Sequence, residues 1–181
     1  MKKILVPLAP GFEEIEAVTV VDILRRAGAD VAVAGLVDGQ VEGRSGIKVM
    51  PDTTMDSVSG LDFDMIVLPG GAVGAENLEN DEKVKKMVRE LYGRGKTVAA
   101  ICAGPKVLSA AGVTDGRAVT AHPSVAAEIK GLLTGGRVVV DKNLITGKGP
   151  GTAMEFAFKL VEALFGPEKA KEVNETVFAR L

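Results

Sequence analysis

VAAICAGPKVLSAAG, residues 98–112, is the stretch that sets the architecture. Its first four residues are apolar and β-prone with no polar alternation, the pattern of a strand covered on both faces. At Cys102 the run gives way to the small residues Ala103 and Gly104, then to Pro105 and a helical pattern. A strand that turns directly into a helix is the building unit of a parallel sheet. The chain uses cysteine once and places it at that turn.

Similar apolar runs recur in both directions: KILVPLA, DVAVAGL, DMIVLPGG, TVAAIC, RAVTA, RVVVD and NLITG. Amphipathic stretches separate several of them. FEEIEAVTVVDILRRAG carries an apolar stripe through Ala17, Val20, Val21, Leu24 and Ala27, with Gly28 as its stop. DEKVKKMVRELYGRG is capped by Asp81 and ended by Gly93 and Gly95. TAMEFAFKLVEALFG opens on Thr152 with Glu155 three residues on, the spacing of a capping box. PEKAKEVNETVFARL starts on Pro167, a favourable first helical position. The segments GIKVM and RVVVD/NLITG lack following helices in the same way and read as hairpin-like additions. The expected fold is one doubly wound α/β domain over residues 1–181, with a mostly parallel sheet, helices on both faces and a small hairpin.

Composition excludes several classes. A formal net charge of -2 with dispersed Lys and Arg offers no footprint for nucleic acid. No apolar run approaches the ~20 residues of a membrane span. MKKILVPLAPGFEE ends in Pro10-Gly11 and acids, so it reads as a first strand rather than a signal peptide. One cysteine forms no internal disulfide, which fits a reducing, cytoplasmic setting.

In an open parallel sheet, ligands bind beyond the carboxyl ends of the strands, where the strand order reverses. Three loops leave such ends: APGFEE, PGGAVG and CAGP. Burial as a structural thiol is the ordinary fate of a lone cysteine. Against it, a nucleophile at a tight strand-to-helix turn is pushed clear of the sheet, and the helix amino end favours thiolate over thiol. Gly70 and Gly71 usually would mark a mere turn. The functional alternative is that they let bare amides approach a reacting oxygen, which with the Ala103 amide would form an oxyanion hole. Neither LPGGAVG nor TGKGPGT matches a nucleotide-binding fingerprint, so no cofactor is expected. Glu13, Glu14 and Glu16 suit the first turn of any helix. On a helical wheel Glu14 and Thr19 tend outward, Glu16 sits on the shoulder and Glu13 on the apolar side. Periodicity does not choose which acid turns to the strand ends. A carboxyl held there beside a thiolate would have a raised pKa and pass protons. His122, the only histidine, sits at a strand end, where it is either a satisfied structural side chain or an imidazole partner for the thiol. One histidine and one cysteine do not make a zinc site, and no metal is expected.

Taken in order, PGFEEIEAV, DILRRAGADVAVAGL, MIVLPGGAVGAENL, AAICAGP, TAHPS and GKGPGTAMEFAFKLVEALFG resemble the ThiJ/PfpI superfamily, in the branch of the Parkinson-associated protein DJ-one and its bacterial homologues. The resemblance implies a flavodoxin-like homodimer with Cys102 as nucleophile, Glu16 as the acid bonded to the sulfur, Gly71 and Ala103 as the amides, and His122 nearby. Two departures stand out. Peptidase-like members have a histidine directly after the cysteine, where this chain has Ala103. Close relatives have a Ser-Arg pair whose arginine reaches across the dimer, where this chain has Arg44 and Ser45 in reverse order.

For this branch the resemblance implies glutathione-independent glyoxalase activity on small dicarbonyls, and deglycase activity on early glycation adducts. It also implies alternatives on the same thiol: an oxidative-stress sensor, a redox-regulated chaperone or, against the missing histidine, a cysteine peptidase.

Overall fold

The computed structural model describes residues 1–59 and 62–179. The first strand, β1 (Lys3–Leu8), leads through a short loop into α1 (Glu14–Arg26) and back along β2 (Asp30–Gly35). A hairpin of two-residue strands, β3 (Val41–Glu42) and β4 (Lys48–Val49), and the short β5 (Thr53–Thr54) follow. Next come β6 (Met65–Leu68), α2 (Ala72–Asn80), α3 (Glu82–Gly93), β7 (Thr97–Ile101) and α4 (Pro105–Ala110). The last third holds β8 (Ala118–Val119), β9 (Leu132–Leu133), β10 (Val138–Asp141), β11 (Leu144–Gly147), α5 (Ala153–Phe165) and α6 (Pro167–Val177).

Seven strands form one sheet in the order β10-β11-β7-β6-β1-β2-β5. Every pairing is parallel except β10 with β11. Side chains alternate across a strand, and both sets are apolar here. Ile4, Val6, Met65, Val67, Ala99 and Ile101 pack toward α1, α5 and α6. Their neighbours Leu5, Ile66, Leu68, Val98 and Ala100 pack toward α2, α3 and α4. That double burial explains the unbroken apolar runs and confirms helices on both faces. Phe156 of α5 is fully buried in the first of these layers; truncating such a ring to alanine costs about 3–5 kcal/mol.

The helix ends follow their sequence signals in part. Asp81 caps α3 by accepting from the Val84 amide at 2.9 Å. Thr152 does not cap α5: its hydroxyl donates back to the Gly149 carbonyl at 2.8 Å, closing a short 3-10 turn over Pro150–Thr152. Glu155 is free of the capping box and pairs with Arg137 at 2.8 Å. RAVTA contributes only β8, which pairs with β9 outside the main sheet. Directly after Gly71 lies α2, a helix that the sequence reading treats as loop.

Chain order along the sheet reverses between β1 and β6: β1 is followed outward by β2, and the chain then returns to the other side of β1 for β6, β7 and β11. The carboxyl ends of β1, β6 and β7 are therefore neighbours, and the three loops singled out in the sequence leave from them.

Candidate active site

Each of those loops is shaped by a local constraint. Cys102 has φ 64°, a left-handed conformation that a cysteine adopts at a cost. Its backbone is pinned on both sides: its amide donates to the Gly147 carbonyl at 2.9 Å, and its carbonyl accepts from the His122 amide at 2.8 Å. The turn tightens at once, with the Gly104 amide donating to the Ile101 carbonyl at 2.8 Å, and α4 begins at Pro105. The geometry is that of a strand-to-helix elbow.

Gly70 and Gly71 do different work. A Cβ on Gly70 would lie 2.6 Å from Glu16 Oε2 and 2.7 Å from Cys102 Cβ, so glycine is what lets acid and cysteine meet. The Gly70 amide donates to Glu16 Oε2 at 2.7 Å. It is thus the anchor of the acid and not, as the sequence suggests, a free donor for an oxyanion. Gly71, at φ 89°, turns the chain into α2 with its Cα against the Gly11 carbonyl, where no side chain fits.

Of the three acids, only Glu16 reaches the sulfur. It is fully buried, and its Oε1 has no hydrogen-bond partner. Burial, the largest influence, raises its carboxyl to about 7, opposed by the Gly70 amide and by its bond to Cys102. Glu14 is buried rather than outward, because the hairpin turn folds over the start of α1: Glu14 Oε1 accepts from the Ser45 amide at 2.7 Å. Burial pushes its carboxyl up, but backbone amides more than offset this and leave it below the ordinary value. Glu13, also buried, accepts from Arg44 Nη1 at 2.9 Å. Arg44 thus pairs within its own chain.

The Cys102 thiol is pushed up to about 12, first by burial and then by the negative charge of Glu16; the amides of Gly71 and Ala103 act the other way. Two adjacent buried anions are disfavoured, so thiol and carboxyl titrate as a coupled pair that does not lose its last proton near neutral pH. Passing the thiol proton to Glu16 would relieve the sulfur of its repulsive neighbour and keep both amides.

Cys102 opens onto a cleft of about 440 Å³ lined also by Ala103, Gly71, Glu13, Arg44 and His122, among others, with Glu16 buried behind the sulfur. His122 is in the cleft but its Nδ1 is committed to Ser124, whose hydroxyl lies at 2.8 Å and whose amide donates at 3.2 Å. Among the described residues no hydrogen bond joins the imidazole to Cys102. The sequence reading missed Arg44 and Ser124 as cleft residues. Arg44 was in view only as a departure from the relatives, and Ser124 carried the local signal of a hydroxyl two residues after a histidine.

Lys106 ties the walls together from behind. Its ammonium lies 3.0 Å from Glu79 of α2 and 3.4 Å from Glu128, at the end of the 3-10 segment that starts after His122. Each tied element carries a cleft wall.

Fold and site define a flavodoxin-like α/β protein that presents an elbow cysteine to a buried, proton-holding acid. The chain belongs to the DJ-1/PfpI family, whose model matches residues 2–163. It is 43% identical over 176 residues to Protein dj-1beta of Drosophila melanogaster, covering 95% of this chain and 94% of that one. A Caenorhabditis elegans relative, named glutathione-independent glyoxalase DJR-1.2, is 38% identical over 180 residues, covering 95% and 94%. The solved structure of oxidized DJ-1 from Toxoplasma gondii superposes with a TM-score of 0.95 at 37% identity, covering all of both chains. Among the described residues no helix is long and apolar enough to cross a membrane.

Proposed function

We propose that this protein is a glutathione-independent glyoxalase that converts small 2-oxoaldehydes to 2-hydroxy acids through Cys102 and Glu16. The observation that carries the reading is the cleft-lining Cys102 thiol at the elbow beside the buried Glu16, whose Oε2 is held by the Gly70 amide at 2.7 Å and whose carboxyl is raised by burial to about 7. A relative at 38% identity bearing that activity in its name supports it.

The chemistry needs no outside oxidant. The Cys102 thiolate forms a C–S bond to the aldehyde carbon, and the C=O electron pair moves to oxygen beside the Gly71 and Ala103 amides. Glu16 delivers its proton to that oxygen, giving a hemithioacetal, and is left as carboxylate. It then takes the proton from the former aldehyde carbon, forming an enediolate with its charge on the former ketone oxygen, and returns that proton to the former ketone carbon, while the hemithioacetal hydroxyl proton passes to the former ketone oxygen. One carbon is oxidised and its neighbour reduced, leaving a 2-hydroxy thioester. Water adds to the thioester, the C–S bond breaks, and the hydroxy acid departs. Deglycation of an early adduct would begin with the same attack.

The test is methylglyoxal consumption with lactate detection in the absence of glutathione. The wild type turns over, Cys102→Ser does not, and Glu16→Gln loses about 10²–10⁴-fold, the scale of a general acid–base contribution. Full activity in Glu16→Gln would remove the proton shuttle. No turnover by wild type verified as reduced at Cys102 would remove the glyoxalase reading.

A second reading, an oxidation sensor, is favoured by the access of Cys102 to the cleft and by the proton on Glu16 near neutral pH, available to a sulfinate oxygen. Peroxide titration with mass spectrometry separates the two: a stable sulfinate at Cys102 supports the sensor, and its absence removes it.

A further inference from the structure

The cleft is larger than a small dicarbonyl needs. Methylglyoxal has five heavy atoms and, at the ~30 Å³ that one water occupies in the liquid, displaces on the order of 150 Å³. About 440 Å³ is present. Besides the reacting groups the cleft is lined by Arg44, His122 and Ser124 and by the apolar Val73 and Pro150, so a longer ligand meets polar groups and a guanidinium that is paired with Glu13.

Arg44 is held as part of a built wall. Its amide donates to the Phe12 carbonyl at 2.9 Å, and the next amide, of Ser45, is fixed by the buried Glu14. Its Nη1 donates to Glu13 Oε2 at 2.9 Å. Glu13 is 6% exposed against 61% for Arg44, so the carboxylate is turned inward and the guanidinium faces the opening. A guanidinium has five N–H donors in a rigid fork. The Glu13 bond uses one, which leaves donors for a second anion. The negative charges of Glu13 and of the Cys102–Glu16 unit oppose that anion. Glu13 is already neutralised by its partner, and the other unit lies where the electrophilic end of a substrate binds. A ligand with an aldehyde at one end and an anion at the other matches this order of charges.

Resting on the glyoxalase reading, we infer that the cleft selects 2-oxoaldehydes bearing a carboxylate at the far end, with Arg44 binding that carboxylate while Cys102 attacks the aldehyde. The reaction balances as for methylglyoxal, since the tail carboxylate takes no part: aldehyde carbon oxidised, ketone carbon reduced, one water consumed, and a hydroxy diacid released. Arg44 is then the specificity residue.

Two measurements test it. The first compares kcat/KM for dioxovalerate, a 2-oxoaldehyde with a terminal carboxylate, against methylglyoxal. The wild type favours dioxovalerate at least tenfold, Arg44→Met brings the ratio near one, and Arg44→Lys, keeping charge without the fork, falls between. The second needs no turnover: Cys102 is alkylated with anionic iodoacetate and neutral iodoacetamide, and the rate ratio is normalised to that of free N-acetylcysteine. The wild type shows an iodoacetate preference at least fivefold above the free thiol, and Arg44→Met abolishes it. Methylglyoxal turnover without either preference overturns the carboxylate site and leaves the glyoxalase reading intact. An Arg44-dependent iodoacetate preference without any turnover keeps the anion site and overturns the glyoxalase reading. If Arg44→Met does not fold, the wild-type ratios and Arg44→Lys decide: wild-type ratios of one refute the site.

Discussion

Gly70→Ala adds a single methyl group at the point where acid and cysteine meet. The backbone at Gly70 lies outside the left-handed region, so alanine is refused by space and not by φ. The new Cβ would sit 2.6 Å from Glu16 Oε2, 2.7 Å from Cys102 Cβ and 3.0 Å from the Ala103 amide. Comfortable carbon contacts are ~3.5–4.0 Å, so something must move by about 1 Å. The Cys102 backbone is pinned by Gly147 and His122, which leaves the Glu16 carboxyl as the yielding group. It is fully buried, with no solvent to move into. Overpacking of this kind costs about 1–3 kcal/mol, and loss of the amide bond to the Glu16 carboxyl adds about 0.5–1.5 kcal/mol where that carboxyl is neutral. At roughly 2–4 °C per kcal/mol for a domain of this size, the melting temperature should fall on the order of 10 °C. A ~1 Å misplacement of a catalytic group costs about 10²-fold in rate, so turnover should drop by that factor even where the protein stays folded. Differential scanning calorimetry and the methylglyoxal assay below the transition read both effects. A variant that melts within about 2 °C of wild type and keeps more than half its turnover would refute the close approach of Glu16 and Cys102 across Gly70.

Two further perturbations follow from the same groups. Folding raises the Glu16 carboxyl from 4.5 to about 7, so between those values the folded chain holds a proton that the unfolded chain has lost. Stability from this group is full below pH 4.5 and falls as pH rises toward about 7, by on the order of 3 kcal/mol at ~1.4 kcal/mol per unit. Glu16→Gln should lack this slope in urea melts across the range, and an identical slope in both proteins would show that Glu16 does not titrate this way. At Cys102, φ 64° makes glycine the better fit: Cys102→Gly should be about 1 kcal/mol more stable than Cys102→Ala, the reverse of the order expected in regular structure. Equal stability in denaturant titrations would mean that the elbow relaxes once the sulfur is gone.

What the sequence made legible is what is local in the chain. A β-prone run, two small residues and Pro105 state the elbow within nine positions, 97–105, and the elbow forms there. Asp81 and Pro167 likewise act on neighbours and do what their positions imply. The failures are groups whose partners are distant. On its own α2 has weak periodicity, broken by Gly74 and Glu76-Asn77; it is set by the first loop, through the Gly74 amide on the Gly11 carbonyl and Asn77 Nδ2 on the Pro10 carbonyl. A wheel of α1 turned Glu14 to solvent because the hairpin turn that covers it lies 31 residues on. Thr152 had a second acceptor, the Gly149 carbonyl, that competed with its role as a cap.

The choice among the three acids belongs to the same class and explains why family resemblance was needed to make it. Glu13, Glu14 and Glu16 share one helix start, and all three are buried. What separates them is the donor each meets: Arg44 for Glu13, the Ser45 amide for Glu14, the Gly70 amide for Glu16. Two of those donors come from the hairpin and one from the turn after β6, 54 positions away. The hairpin donors hold Glu13 and Glu14 toward the hairpin, and amides lower the Glu14 carboxyl, whereas the Gly70 turn holds Glu16 beside the sulfur, where burial raises it to about 7. Its place beside the sulfur, and not hydrogen-bond satisfaction, sets Glu16 apart, since Glu14 also keeps a buried oxygen without a partner; that place is fixed by the Gly70 turn, which says nothing about acids when read alone.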